Sequence, residues 1–305
     1  MVCPSRELRP GAVRRFALGD HPIVLFRGRE NGTVHALPAH CEHQGVDLAR
    51  GTVVGDRLRC PLHHWEYSNR CEHVPGANTL PRSLAAPRYV TTERFGMVFL
   101  HAGPEPGEPL PGFSTPDGEL SFRAGTPVNI DCPWYVPVAN AFDMTHLETV
   151  HRRQLTRTPS IHTPTPLTFR VDYATSVTGD GWSDRAMRWL SGNDIRVDVT
   201  CFGGTMILVE SSIRNRRGYL MVSLRPTSGG VSILPMFGVP RRAAGLHRIH
   251  GRFSAALFMA FLRRDVETLS GIRFPDGYLD NRDATINACY RYLCTLPSLD
   301  SEEVS

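Results

Sequence analysis

Cys41-Glu42-His43 and, after sixteen intervening residues, Cys60-Pro61-Leu62-His63 form the stretch on which the reading of this chain turns. Each short motif offers one thiol and one imidazole. Two such pairs can hold a [2Fe-2S] cluster with both sulfurs on one iron and both nitrogens on the other, which raises the potential above that of an all-thiolate cluster. Zinc takes the same ligand types, but zinc fingers pair like with like along the chain. The mixed pairing therefore favours iron and sulfide. The C-x-x-H spacing selects His63 as ligand and leaves the adjacent His64 in the loop.

The flanks suit a cluster carried on two loops of a small β domain. Residues 22–26 (PIVLF) and 33–37 (TVHAL) are apolar, β-prone runs separated by a turn at Glu30-Asn31-Gly32. Residues 51–58 read as a hairpin with Gly55-Asp56 at its tip, so each ligand pair follows the end of a strand. Trp65 and Tyr67 come directly after the second pair. They fit either core packing or a shield and hydroxyl donor for the cluster sulfurs. Cys71 lies outside both pairs and reads as a free thiol.

The chain has 305 residues, room for two domains with proper cores. Hydrophobic residues make up 41% and charged ones 21%, with a net charge of only +4, so neither nucleic acid nor membrane lipid is an expected partner. The sequence contains no lysine, and basic pairs such as Arg152-Arg153 and Arg263-Arg264 never extend into runs. The N-terminus has no apolar segment of signal-peptide type, and the longest apolar run, 255–262, is far short of the ~20 residues that span a bilayer. A soluble, cytoplasmic protein is expected, with the cysteines outside the two motifs reduced.

Four prolines and three glycines fall within residues 101–112, which marks a linker and puts the domains at 1–105 and 106–305. The second half is expected to contain a helix over about 138–151 and a Pro/Thr-rich loop over 156–167. Strands are expected at 168–173, 206–209 and 219–223, followed by an apolar-striped helix over about 253–270. That order suggests an antiparallel sheet with helices on one face. Residues 182–190, with Trp182 and Trp189, suit a lid or a surface helix.

Within the first helix, Asp143 and His146 are neighbours on one face. His146 and His151 stand about 140° apart on a straight helix, so sharing a metal requires the helix to bulge or end between them. Two partly buried histidines without a metal is the other reading. In the last helix Asp265 shares the apolar stripe with Phe258, Phe261, Leu262, Leu269 and Ile272. A carboxylate buried there needs a partner, either a metal or an arginine. Glu267, with Arg263 and Arg264 a turn before it, suits a solvated ion pair. Two histidines and one carboxylate on one side of an iron leave positions open, as in non-haem Fe(II) oxygenases.

In combination these motifs resemble those of the Rieske non-haem iron oxygenases over nearly the whole chain. The motifs are C-x-H-x16-C-x2-H at Cys41, His43, Cys60 and His63, D-x2-H-x4-H at Asp143, His146 and His151, and a late carboxylate at Asp265. The resemblance implies an α+β protein, with an N-terminal all-β Rieske [2Fe-2S] domain followed by a helix-grip-like catalytic domain. It implies that His146, His151 and Asp265 bind a mononuclear Fe(II), and that Asp143 bridges a cluster histidine to that site. Asn140 lies where family members often place an asparagine near the iron; a structural cap is the alternative. The implied activity is that of a terminal oxygenase. It would use O2, and electrons from NAD(P)H passed through a ferredoxin or flavin reductase, to oxidise a C–H bond of an apolar aromatic, alicyclic or steroid-like molecule. The implied assembly is a homotrimer in which the cluster of one subunit serves the iron of its neighbour. Candidate pocket residues are Met206, Met236, Phe237, Phe258 and Phe261, each of which also fits ordinary core.

Three departures stand out. His64 occupies a position where many members have glycine, Arg264 precedes Asp265 where an acid is common, and the chain is short for the family. Two other classes fit parts of the pattern. An electron-transfer protein without its own catalysis would need only the first domain, and a zinc-stabilised binding protein would hold an apolar ligand in the second.

Overall fold

The computed structural model describes residues 1–67, 73–74, 89–103, 107–214, 216–241, 255, 258–259, 262–273 and 283–297. It divides into two compact units, Met1–Pro109 with Pro297–Ser305, and Leu110–Leu296, so the division falls within the proline-rich stretch 101–112. Cys71 and Phe261 lie outside the described residues.

Among the described residues the first unit has ten strands in three antiparallel sheets. β1 (Cys3–Pro4) pairs with β10 (Met97–Ala102), which pairs with β9 (Tyr89–Arg94). β2 (Val13–Leu18), β3 (His21–Arg27) and β4 (Val34–Pro38) form the second sheet. β5 (Thr52–Val54), β6 (Arg57–Arg59), β7 (Glu66–Tyr67) and β8 (His73–Val74) form the third. The run Ile23-Val24-Leu25-Phe26 is continuously apolar because β3 is buried on both faces. Side chains alternate across a strand, so Ile23 and Leu25 enter a core with Leu8, Ala36 and Val98, while Val24 and Phe26 enter another with Leu37, Leu48 and Leu58. The second core lies directly beneath Cys41 and Cys60. The β5–β6 hairpin turns at Gly55-Asp56, as the sequence predicts. Asp56 Oδ1 accepts from the Glu30 and Asn31 amides, which ties this tip to the β3–β4 turn. Gly28 is required there, since a Cβ would sit 2.3 Å from Asp56 Oδ1.

The second unit is a nine-stranded antiparallel sheet. Its strands are β11 (Leu120–Ala124), β12 (Val128–Ile130), β13 (Arg153–Leu155), β14 (Ser160–Thr165), β15 (Thr168–Val177), β16 (Ile195–Phe202), β17 (Met206–Ile213), β18 (Arg216–Thr227) and β19 (Gly230–Pro240). β11, β19, β18, β17, β16, β15 and β13 lie side by side in that order, with β12 also on β19 and β14 also on β15. One face carries Phe169, Val171 and Tyr173, Val199 and Cys201, and Leu220, Val222 and Leu224 at the two-residue period of a strand. Against that face pack α1 (Tyr135–Asn140), α2 (Met144–Thr149), α4 (helical residues 262–269) and α5 (Ala284–Cys294), through Val138, Met144, Leu269 and Tyr292. Phe142 and Phe169 meet edge to face at 4.9 Å, both fully buried. Truncating either would cost about 3–5 kcal/mol.

Three expectations need correction. The single helix over 138–151 is two short helices, because Asp143 leaves helical backbone geometry to cap the second. The Pro/Thr-rich stretch 156–167 contains strand β14. A register shift between His162 and Thr165 accommodates Pro164, which removes one donor and is tolerated where pairing is broken. The linker does not begin at His101, since β10 continues to Ala102. Residues 182–191 are helical (α3, Trp182–Ser191), with Trp189 largely exposed. Among the described residues no helix is long and apolar enough to cross a membrane.

Candidate functional site

Two loops of one design carry Cys41, His43, Cys60 and His63. In the first, the Cys41 amide donates to the Val46 carbonyl and the Gly45 amide returns to the Cys41 carbonyl, at 2.8 and 2.7 Å. In the second, Cys60 donates to Trp65 and His64 returns to Cys60, at 2.7 and 3.2 Å. Each loop closes through the fourth residue after its cysteine, and that residue must adopt positive φ. Gly45 does so at +71° without strain; His64 does so at +59° against its own Cβ. His64 is thus the second loop's counterpart of Gly45, at a position whose backbone glycine adopts without strain.

The loops bury both cysteines and leave both histidines exposed. His43 Nδ1 and His63 Nδ1 approach to 3.1 Å. Burial raises the Cys60 pKa, against backbone amides of Leu62 and His63 that favour its thiolate. The His43 ring stacks on Trp65 at 4.6 Å with 5° between the planes, which fixes its orientation. The Tyr67 hydroxyl lies 3.0 Å from Cys41 Sγ and can donate to a thiolate there. Burial keeps that phenol protonated, its pKa pushed well above the ordinary tyrosine value. Trp65 and Tyr67 both pack on the core and touch residues of the two loops, Trp65 through His43 and Tyr67 through Cys41. Two sulfurs facing two nitrogens is the donor set a cluster of this type needs.

In the second unit His146, His151 and Asp265 converge from separate elements. Asp143 Oδ1 accepts from the His146 amide at 2.8 Å and starts α2, which places His146 in its first turn. The helix ends at Thr149, so His151 swings back toward His146 instead of pointing away. Asp265 arrives from α4, 119 residues after His146. His146 Nε2 and His151 Nε2 stand 3.1 Å apart, and Asp265 Oδ1 lies 2.9 and 2.7 Å from them. His151 and Asp265 are buried. Burial lowers the His151 pKa, while the two imidazoles carry Asp265 below the usual carboxylate range despite its own burial.

The donor geometry discriminates between a hydrogen-bonded cluster and a metal site. Two neutral imidazoles could each donate to Asp265, but their N–H groups would then crowd one another at 3.1 Å. Three ligands at right angles about 2.1 Å from one ion are separated by about 3.0 Å, which matches the observed triangle. The residues fit a facial two-histidine, one-carboxylate metal site. Among the described residues the partners of Asp265 are the two histidines, and not the arginine that the sequence alternative called for. Glu267 is exposed, as a solvated face requires.

A cavity of about 1160 Å³ opens on these three residues. Its walls are mainly apolar, with Met144, Tyr173, Ile207, Leu220, Phe237 and Phe258 among them, and Asn140 and Asp143 also border it. Of the candidate pocket residues, Phe237 and Phe258 line the cavity whereas Met206 and Met236 do not border it and belong to the buried core. The sequence reading passed over Arg153 and Asp184, which meet at 3.2 Å in the wall. Read as half of a basic pair, Arg153 gave no signal of its own. Its inward position follows from strand alternation in β13, Gln154 being exposed.

A family model for the Rieske [2Fe-2S] domain matches residues 1–85. Over 158 residues the chain is 32% identical to the oxygenase component of 3-ketosteroid-9-alpha-monooxygenase from Rhodococcus rhodochrous, covering 48% of this chain and 41% of that protein. It is 38% identical over 123 residues to aminopyrrolnitrin oxygenase PrnD of Pseudomonas fluorescens, covering 37% and 33%. The matched segments thus span less than half the length of these relatives. Dicamba monooxygenase bound to dicamba shares the fold with a TM-score of 0.67 at 20% identity, over 96% of this chain and 95% of that one. NdmA of Pseudomonas putida CBB5 does so with a TM-score of 0.69 at 16% identity, over 95% and 86%. At these identities the structural likeness speaks for the fold.

Proposed function

We propose that this chain, which belongs to the Rieske non-haem iron oxygenase family, is the terminal oxygenase component of a Rieske system acting on a largely apolar small molecule. The observation that carries the reading is the convergence of His146, His151 and Asp265 on an apolar cavity, in a chain that also presents two Cys/His loops. In this reading residues 1–105 are the electron-receiving domain and 106–305 the catalytic one. Cys41, Cys60, His43 and His63 would hold the cluster, with the two histidines on the exposed side of the loops, and a ferredoxin or flavin reductase using NAD(P)H would be the electron donor. When bound, the cluster supplies single electrons and the mononuclear Fe(II) supplies the site for O2.

The protein's own groups position and insulate. His146, His151 and Asp265 would hold the Fe(II), and the cavity they border would admit the substrate beside it. The apolar walls keep water from the reacting C–H bond. Asp143 uses Oδ1 to cap α2, which leaves its second oxygen to receive a hydrogen bond from a cluster histidine. Asn140, the last residue of α1, borders the cavity beside it and is a candidate to orient substrate or water. A homotrimer, in which the cluster of one subunit faces the iron of the next, and a cytoplasmic location complete the proposal. The relatives named above act on a ketosteroid and on aminopyrrolnitrin, and an aromatic, alicyclic or steroid-like substrate suits a cavity of this size.

The deciding experiment is the iron, zinc and acid-labile sulfide content of anaerobically purified protein, with its visible spectrum. About three irons and two sulfides per chain support the oxygenase. About two irons and two sulfides favour an electron carrier, and zinc without sulfide refutes both.

A further inference from the structure

We infer that Arg153 is an anchor for an oxygen acceptor at one end of the otherwise apolar substrate. The proposal rests on the reading of the cavity as the substrate site. Arg153 borders that cavity, and its side chain is 14% exposed. Among the described residues its guanidinium makes two hydrogen bonds, both from Nη1: to Asp184 Oδ1 at 3.2 Å and to the Arg152 carbonyl at 3.4 Å. Nε and Nη2 bond to none of the described residues, and both keep some accessible surface. A guanidinium carries five N–H donors and accepts nothing, so the Nε and Nη2 donors have no acceptor among the described residues, beside a cavity whose walls are mainly apolar.

Asp184 offsets the Arg153 charge, and Arg264, itself exposed, also borders the cavity and acts on both Arg153 and His151. The free donors suit an acceptor without protons of its own, such as a ketone or a carboxylate. Because Arg153 follows His151 by two residues, an oxygen held there is fixed close to the metal ligands, and the anchor selects which carbon of the substrate faces the iron. Arg153 is therefore a specificity-determining residue, and Asp184 positions it.

The Arg153–Asp184 pair also joins β13 to α3, so a role confined to structure must be separated from recognition. Iron-loaded protein without reductant is titrated calorimetrically with two matched pairs: 4-phenylcyclohexanone against phenylcyclohexane, and 4-phenylbenzoate against biphenyl. In each pair the oxygen-bearing probe is expected to bind about tenfold tighter, the order of one charge-assisted hydrogen bond. A preference within the ketone pair alone identifies a neutral acceptor, and within the carboxylate pair alone an anionic one; either supports the anchor. The double variant Arg153→Met with Asp184→Leu removes both charges together and should bring the preference below about twofold, with the hydrocarbons bound as before. Should that variant not fold, Arg153→Lys keeps the ion pair, lacks the planar fork, and should lose about half or more of the preference. No binding of either oxygen-bearing probe, no preference in the native protein, or a preference that survives in the variants overturns the anchor. Absence of iron from the purified protein would instead refute the oxygenase reading, independently of these titrations.

Discussion

Replacing Asp143 by asparagine and by alanine separates its two roles. Its Oδ1 caps α2 through the His146 amide at 2.8 Å, so a variant that loses the cap also releases the turn that carries an iron ligand. Asparagine caps about as well as aspartate, whereas alanine loses about 1 kcal/mol. α2 spans only six residues, so losing the charge at its N-terminus costs no more than about 0.5 kcal/mol. Asp143→Asn should therefore keep its iron content and lie within about 0.5 kcal/mol of the native protein in urea melts, while Asp143→Ala falls by about 1 kcal/mol. Electron transfer should order the variants differently. With the cluster reduced by dithionite and mixed with O2, its reoxidation followed in the visible spectrum should slow about 10- to 100-fold in both. Native reoxidation in Asp143→Asn, together with slowing in Asp143→Ala, would show that the residue serves only as a cap. Loss of iron from Asp143→Asn would equally refute the bridging role.

Asp265→Ala should leave about two irons and two sulfides per chain with an unchanged cluster spectrum; retention of about three irons would remove Asp265 from the ligand set. His64→Gly relieves positive φ at a cost in unfolded-chain entropy, so thermal or urea melts should show a net gain of about 0.5–1 kcal/mol in the first unit. Arg27 grips Glu93 with two hydrogen bonds of 2.9 and 2.7 Å and holds its pKa below the ordinary carboxylate value. A depressed carboxylate stabilises the fold above its unfolded pKa and loses that contribution as pH falls through the folded one. With the Glu93 side chain 36% exposed, Glu93→Gln should cost no more than about 1 kcal/mol at pH 7, and its gap to the native protein should close as pH is lowered below about 4.5.

The two Cys/His loops were legible in the sequence because each is held by hydrogen bonds spanning no more than five residues, as from Cys41 to Val46 and from Cys60 to Trp65. The apolar run Ile23–Phe26 was equally legible, since burial on both faces of a strand leaves no room for a polar residue. Spacing also stated the condition for His146 and His151 to meet, namely that the helix end between them. Tertiary structure decided that it ends at Thr149, and brought Asp265 to the pair across 114 residues of chain from His151. The same limit hid Arg153 and Asp184, whose contact joins a short strand to a helix thirty-one positions later. It also left Phe237 indistinguishable from Met236, although only Phe237 borders the cavity. Local spacing determines chemistry where backbone hydrogen bonds close the loop. Where a site is assembled by packing sheet against helix, many residues of one apolar pattern compete for few places, and only the register and crossing of those elements assign them.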